Sequence, residues 1–319
     1  MKVMEIIEKT GILPVINITD LEVAKPLAQA FCDEGIPVIE VTLRNEKSLE
    51  AVKLIRSEFP EMGILAGTVL SVEQAQNAIS AGVDGIVMPG YDDEIVDFAL
   101  ENNIPIVPGC VTAADIQKGY KKGLRVFKFF PAEQCGGIPA LKLLSGPFKG
   151  VKFLPTGGIN YDNLGEYLKN DFIIACGGSY MADAKTLGDK NFDKIRENCR
   201  KAMSISLDFK LAHIGVNSDD KGEADKTAKL IASVFGLGVR ECSGSTFAGN
   251  AVECMHNRRF GEKGHIGFST NSMIRAMAYL ADKGIEFDES SIKRDASGKI
   301  SCIYLKENIA GFALHIVKN

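Results

Sequence analysis

Up to about residue 208, short apolar runs alternate with stretches whose apolar residues recur every three or four positions. The runs fall at 13–16, 38–42, 63–66, 85–88, 104–107, 125–129, 151–154 and 172–175. Runs apolar on both faces and separated by helical spacing predict a parallel sheet covered by helices. Residues 21–32 and 49–59 carry that spacing, and Met1 to Lys9 reads as a short amphipathic helix. Ser71-Val-Glu-Gln74 reads as a helix-starting capping box, and Thr112-Ala-Ala-Asp115 resembles one. Eight strand–helix units in roughly 200 residues predict an α/β fold, a (β/α)8 TIM barrel near the small end of its size range. An open doubly wound sheet is the alternative, though it usually needs fewer strands.

Residues 191–209 read as a final helix and connector, after which the pattern changes. Ala212-His-Ile-Gly215 precedes a helical stretch at 221–235 and short strand-like segments. Gly264-His-Ile-Gly267 then restarts the same order, with a helix at 272–283. An echo at this interval predicts two copies of a β-α-β-β-β unit. The expected domains are thus a barrel at 1–208 and a smaller α+β domain of paired βαβββ repeats at 209–319.

Composition narrows the function classes. A formal charge of −4 spread over 319 residues, with no basic run, offers nothing to a nucleic acid. No stretch is long and apolar enough to span a membrane, and the N-terminus lacks a signal peptide's apolar core, so the cytoplasm is the expected location. The eight cysteines form no CxxC pair and are expected to be reduced, with Cys135 in a loop the one exposed to reaction.

Barrel sites are built at the C-terminal ends of strands, so polar residues ending apolar runs matter most. Lys128 sits inside Val126-Phe-Lys-Phe-Phe130. Burial among aromatics disfavours its charged form, and a neutral amine is what attacks a carbonyl. The alternative is a lysine snorkelling from an edge strand. Glu40, Thr42 and Arg44 share one face of Ile39-Glu-Val-Thr-Leu-Arg44 at period two. On an interior face, the carboxylate can shuttle protons and the guanidinium can clamp a substrate carboxylate; otherwise they form a structural ion pair. Gly157-Gly158 and Gly177-Gly-Ser179 follow the last two runs, where barrel loops commonly bind phosphate on backbone N–H groups.

Ile39-Glu-Val-Thr-Leu-Arg44, Ala66-Gly-Thr-Val-Leu70, Phe127-Lys-Phe-Phe-Pro-Ala-Glu133, Pro155-Thr-Gly-Gly-Ile159 and Gly177-Gly-Ser179 resemble, in order, the class I 2-keto-3-deoxy-6-phosphogluconate (KDPG) and 2-keto-4-hydroxyglutarate (KHG) aldolases. The resemblance spans roughly residues 1–205. It implies that Lys128 forms a Schiff base and Glu40 is the general acid/base. It assigns Arg44, Thr68 and Thr156 to the pyruvyl carboxylate and its surroundings, Pro89 and Phe130 to the pocket wall, and Gly157, Gly158 and Ser179 to phosphate. It implies a small keto-acid phosphate as substrate, no cofactor and a homotrimer. Asn17 departs from the pattern, since many members carry a basic residue there.

The chain's histidines all lie beyond the barrel segment, at 213, 256, 265 and 315. Residues 210–319 resemble the vicinal-oxygen-chelate, or glyoxalase-like, superfamily, which implies a cupped sheet with metal ligands on the first and last strands of each repeat. The ligands carried over are His213, Glu253, His265 and His315, holding a divalent transition metal. His315 departs from the glutamate usual there. Glu253 and His256, three apart, face opposite sides of a strand, and Glu253 is the preferred ligand. An empty cup of structural histidines is the alternative.

Three readings follow. One is a lyase with an accessory domain, the second a bifunctional enzyme with a metal-dependent second activity, the third a sugar-phosphate-binding protein without catalysis. A mere binder needs neither Lys128 nor Glu40, which argues against the third. Preference among KDPG, its galactonate epimer and 4-hydroxy-2-oxoglutarate is not encoded in these motifs.

Overall fold

The computed structural model describes residues 2–319, which separate into two compact units, one ending at Ser206 and the other running Leu207–Asn319. In the first, nine strand segments are separated by helices except between the fifth and sixth: β1 (Ile12–Ile16), β2 (Val38–Thr42), β3 (Gly63–Gly67), β4 (Gly85–Val87), β5 (Ile106–Val107), β6 (Gly109–Cys110), β7 (Val126–Phe129), β8 (Lys152–Pro155) and β9 (Cys176–Gly178). Every pairing is parallel, in the orders β5-β4-β3-β2-β1-β9 and β6-β7-β8. Pro108, which has no N–H for a ladder, separates β5 from β6. Single parallel bridges, Phe153↔Ile173 and Thr156↔Gly177, connect β8 to the last segment.

Strands β2 and β3 are buried at every position. One face meets the helices; Ala75 and Ala78 of helix Val72–Ala81, for instance, pack with Ala66, Ile86 and Val96. Ile86 and Val96 each contribute about 1.5–3 kcal/mol when buried, and each alanine methyl less, roughly 0.8 kcal/mol. The other face of β2 carries Glu40, so its burial has to be offset by a partner rather than by packing.

Two local readings are corrected. The last strand is Cys176–Gly178 rather than 172–175, where only Ile173 makes a bridge. The full capping box forms at Thr112, whose hydroxyl takes the Asp115 N–H while Asp115 takes the Thr112 N–H. At Ser71 only half forms: its hydroxyl caps Gln74, but the Gln74 side chain accepts from Leu70 N–H instead.

The second unit runs β10 (Lys210–Val216), helix Lys221–Phe235, β11 (Val239–Glu241), β12 (Ser245–Ala248), β13 (Val252–Met255), β14 (Gly264–Thr270), helix Met273–Asp282, β15 (Phe287–Arg294), β16 (Ile300–Leu305) and β17 (Phe312–Lys318). They form one eight-stranded sheet in the order β11-β12-β13-β10-β14-β17-β16-β15. The central pair β10/β14 is antiparallel, flanked on each side by a parallel pair, β10/β13 and β14/β17. Ala224, Ala228 and Ala232, one helical stripe, pack on Ala248 and Cys254; Met273 and Ala276 pack on Ile303 and Ile316. Both helices start on side-chain caps, Asp220 and Ser272.

Candidate functional site

Lys128 on β7 and Glu40 on β2 are buried, at 5% and 0% exposure, and meet directly: Lys128 Nζ donates to Glu40 Oε1 at 2.9 Å. Room for this comes from glycine. A Cβ on Gly67 would overlap the Glu40 carboxylate, and one on Gly109, the β6 residue paired with Lys128, would strike the Pro89 carbonyl. Glu40 Oε2 and Thr156 Oγ1 are both buried without a hydrogen-bond partner. Each such orphan costs about 1–3 kcal/mol, a cost that a substrate bonding to them would relieve. Lys128 Nζ lies 5.5 Å from the centre of the Phe130 ring.

Phe130 opens onto a cavity of about 460 Å³, lined also by Arg44, Thr42, Thr156, Gly157, Gly158 and Ser179. Arg44 Nε donates to Thr68 Oγ1 at 3.3 Å, and Thr68 itself has φ +60°. Gly157 and Gly158 are both left-handed, at φ +94° and +85°, a pair of conformations that L side chains rarely adopt. A Cβ on Gly177 would meet Thr156 Oγ1, so glycine at this β9 position leaves that hydroxyl its place.

Sequence reasoning gave no role to Asp20 and Thr19 in the cavity wall, or to Glu133. The Glu133 side chain lies against Gly158, and its carboxylate accepts a hydrogen bond from Tyr167. Glu133 stands inside a quoted motif, but its partner is 34 residues away, and no local pattern links them. Asn17, the departure, lines the cavity and accepts from Asn45 Nδ2 at 2.8 Å.

Residues 3–198 match the family model described as KDPG and KHG aldolase. The chain belongs to that family. It is 38% identical over 203 residues to a 2-dehydro-3-deoxy-phosphogluconate aldolase of Treponema pallidum, spanning 64% of this chain and 97% of that one. To the KHG/KDPG aldolase of Escherichia coli K12 it is 40% identical over 200 residues, 62% of this chain and 94% of the relative. The Legionella pneumophila KDPG aldolase, solved with pyruvate captured at low pH as a covalent carbinolamine intermediate, aligns with a TM-score of 0.62 and 37% identity, over 63% of this chain and 98% of its own.

This family member carries a second cluster beyond the matched residues. His213 on β10, His265 on β14, His315 on β17 and Glu253 on β13 converge on one face of the eight-stranded sheet. His213 Nε2 stands 3.2 Å from His265 Nε2, 3.1 Å from His315 Nε2 and 3.3 Å from Glu253 Oε2, and His265 Nε2 is 3.1 Å from Glu253 Oε2. His256 lies just past the end of β13, with Nε2 3.0 Å from Thr246 Oγ1, and takes no part. The central register makes the space. His213 pairs with Gly267, and Gly215 pairs with His265. A Cβ on Gly215 would overlap the His265 ring, and one on Gly267 would press on His213 and His315.

Surrounding groups set the charge states. Burial, then the neighbouring imidazoles, pushes His315 down to about 3, and burial lowers His213 as well. At neutral pH both are therefore neutral, the form that ligates metals. Burial alone would raise the Glu253 carboxyl, but hydrogen bonds from His265 and Ser245 hold it down at about 2. His315 Nδ1 faces Cys302 Sγ at 3.3 Å, leaving Nε2 for the cluster.

These shifts share a sign. A group whose folded value is depressed contributes stability above its unfolded value and loses it as pH falls toward the folded one. For His315 that window runs from about 6.5 down to about 3. In EDTA, the urea midpoint of the second unit's unfolding transition, followed by circular dichroism, is expected to be lower at pH 4.5 than at pH 7.5. His315→Gln is expected to flatten this dependence; an unchanged pH slope in that variant would contradict the assignment.

Proposed function

We propose that this chain is a class I aldolase that cleaves 2-keto-3-deoxy-6-phosphogluconate to pyruvate and glyceraldehyde 3-phosphate, and 4-hydroxy-2-oxoglutarate to pyruvate and glyoxylate. The observation that carries the reading is the buried Lys128–Glu40 pair with its unpartnered Glu40 oxygen. The first unit is read as a closed (β/α)8 barrel of about residues 1–208, acting as a homotrimer in the cytoplasm, and its chemistry needs no metal or other cofactor.

Lys128 gives up a proton to Glu40 and attacks the C2 ketone, and Glu40 then returns that proton to the carbinolamine hydroxyl, which leaves as water to give the protonated imine and a free carboxylate. Arg44, with Thr68 beside it, holds the keto acid's carboxylate, and Thr156 Oγ1 donates nearby. Glu40 takes the C4 hydroxyl proton, the C3–C4 bond breaks, and its electrons move into the imine as an enamine. The aldehyde leaves, Glu40 returns a proton to C3, and water releases pyruvate from Lys128. Gly157, Gly158 and Ser179 hold the phosphate on N–H groups and a hydroxyl. Pro89 and Phe130 wall the pocket.

Pyruvate with borohydride is expected to add a reduced pyruvyl group to Lys128 alone, read by peptide mass spectrometry; label on another lysine refutes the assignment. Lys128→Arg is expected to be inactive, because a guanidinium keeps its proton. Glu40→Gln is expected to lower kcat by about 10²–10⁴-fold while pyruvate is still trapped on Lys128. Wild-type turnover in Glu40→Gln would remove Glu40 from proton transfer.

A second reading concerns the other unit, read as a glyoxalase-like domain of paired βαβββ repeats at 209–319. The imidazole nitrogens of His213, His265 and His315 lie within 4.8 Å of one another and Glu253 Oε2 lies 3.1 Å from His265 and 3.3 Å from His213, which favours a divalent transition metal, Zn²⁺, Ni²⁺, Mn²⁺ or Fe²⁺, held by His213, Glu253, His265 and His315. Bonds of ~2.0–2.1 Å to a common ion put tetrahedral donors about 3.3 Å apart and octahedral neighbours about 2.9 Å apart, and the observed spacings lie between. The bound ion supplies Lewis-acid stabilisation of negative charge on a chelating substrate. Ser245 orients Glu253, and Cys302 meets the outer nitrogen of His315. Plasma emission on full-length protein dialysed against Zn²⁺ is expected to find about one ion per chain, lost in His213→Ala. EDTA is expected to strip it while KDPG cleavage persists. Retention of the same zinc by His213→Ala would end this reading.

A further inference from the structure

Tyr167 is 1% exposed and takes no part in the chemistry above. It stands on the short helix Leu164–Leu168, four residues after Asn163, and the two side chains reach the Gly157-Gly158 turn by different routes. Asn163 Nδ2 donates to the Gly158 carbonyl at 3.0 Å. Tyr167 donates its hydroxyl to Glu133, whose own N–H donates to the Gly157 carbonyl at 3.2 Å. The preceding carbonyl, of Thr156, takes the Ala132 N–H at 2.8 Å. Three successive carbonyls of the turn are thus occupied by the protein. Among the described residues no acceptor takes the N–H of Gly158 or Ile159, and these remain for an anion.

One group in this arrangement works against an anion. Glu133 carries a carboxylate, and its stem lies along the turn, because a Cβ on Gly158 would stand 2.5 Å from Glu133 Cγ. The carboxylate begins one bond beyond Cγ and so stays near the turn in every rotamer. No cation pairs with it among the described residues; its partner is the Tyr167 phenol. That phenol decides where the charge sits. A Cβ on Gly137, the first residue of helix Gly137–Ser145, would lie 3.1 Å from the Tyr167 oxygen and 3.2 Å from Glu133 Oε1. Tyr167 therefore holds the carboxylate against the start of that helix, where the peptide dipoles favour negative charge. Gly137, at φ +56° and without a side chain, admits both groups. Burial, then the Glu133 carboxylate, pushes the phenol well above its usual range, so it remains a donor at neutral pH.

We propose that Tyr167 is a specificity-determining positioning residue: by anchoring Glu133 at the start of helix Gly137–Ser145, it keeps a carboxylate off the Gly157-Gly158 turn and leaves that turn open to a dianionic phosphate. The proposal rests on the aldolase reading above and adds how the far end of the substrate is selected. Without the phenol, the Glu133 carboxylate is free to turn toward the same N–H groups and competes for them as an internal anion. It also repels a phosphate dianion about twice as strongly as a carboxylate at equal distance. The molecule of 4-hydroxy-2-oxoglutarate is shorter and ends in a carboxylate, so it loses less. The effect falls on binding, because neither Tyr167 nor Glu133 joins the proton transfers between Lys128, Glu40 and the substrate.

Steady-state cleavage of both substrates by the full chain tests this. Tyr167→Phe removes one hydroxyl and keeps the buried ring. It is expected to raise KM for 2-keto-3-deoxy-6-phosphogluconate about tenfold and KM for 4-hydroxy-2-oxoglutarate by less than about threefold, with kcat for both within about twofold. The deciding variant is Tyr167→Phe/Glu133→Gln, which lacks the phenol and also the charge. Its KM for the phosphorylated substrate is expected to return to within about twofold of wild type. A loss of packing or of one hydrogen bond would persist in the double variant, since it too lacks the phenol. A double variant as impaired as Tyr167→Phe, or an equal loss on both substrates in Tyr167→Phe, overturns the proposal while the aldolase reading stands. A wild-type chain that cleaves neither substrate overturns both.

Discussion

The arrangement of the first unit turns on two opposite charges held together out of water. An ammonium and a carboxylate each lose several kcal/mol of hydration on burial, and their attraction offsets this only with good geometry. Lys128 and Glu40 meet at 2.9 Å, on strands that each pair in a different run of the sheet. That contact constrains what stands around it. Gly67 has to be small beside Glu40, Gly109 has to let its strand approach Pro89, and Gly177 has to yield to Thr156. The second oxygen of Glu40 and the Thr156 hydroxyl stay unpartnered, which a structural ion pair would avoid. Folding energy is thereby given up where a reaction needs hydrogen-bonding groups that are not already spent.

What could be read in the chain follows from how local the cause is. Lys128 among aromatics and Glu40 within an apolar run are visible because a charge inside a buried strand conflicts with its surroundings over a few residues. The last strand was misplaced for the complementary reason. Residues 172–175 are apolar and resemble a strand, whereas Cys176-Gly-Gly178 resembles a turn. The pairing falls on the glycines because Thr156 and Tyr180 side chains occupy the space beside them. Tertiary approach decides there, and strand propensity does not register it. The Ser71 cap shows the same limit at smaller scale. Its glutamine side chain accepts from the Leu70 N–H, one residue before the cap, a choice the four-residue pattern does not encode.

In the second unit, the most telling signal was the shortest. His-Ile-Gly occurs at 213–215 and again at 265–267, and the repeat suggested duplication without explaining the glycine. A residue two positions on from a histidine shares its face. In the antiparallel register of β10 and β14, each glycine lies opposite the other copy's histidine, Gly215 against His265 and Gly267 against His213. The glycine of one copy thus clears the ring of the other. Neither half builds this cluster alone, since the first supplies His213 and Glu253, the second His265 and His315, and each supplies the glycine that clears a histidine of the other. The spacing was legible; the reciprocity was not, because it exists only once the two strands are paired.

The same device recurs in both units. In the parallel sheet, glycine beside a carboxylate lets a charged pair close up within a packed interior. In the eight-stranded sheet, glycine between imidazoles lets their nitrogens approach to 3.1–3.2 Å from separate strands. Strands hold functional groups more rigidly than loops do, but neighbouring strands lie only about 4.8 Å apart, too close for large side chains to converge freely. Omitting a side chain at the position between them is the direct solution. It places the cost on conformational entropy, about 0.5–1 kcal/mol per glycine, rather than on the geometry of the reacting groups. It follows that in both units the residues most sensitive to small substitution include ones that never touch a ligand. A methyl group at Gly67 would displace the Glu40 carboxylate, and one at Gly267 would displace the rings of His213 and His315.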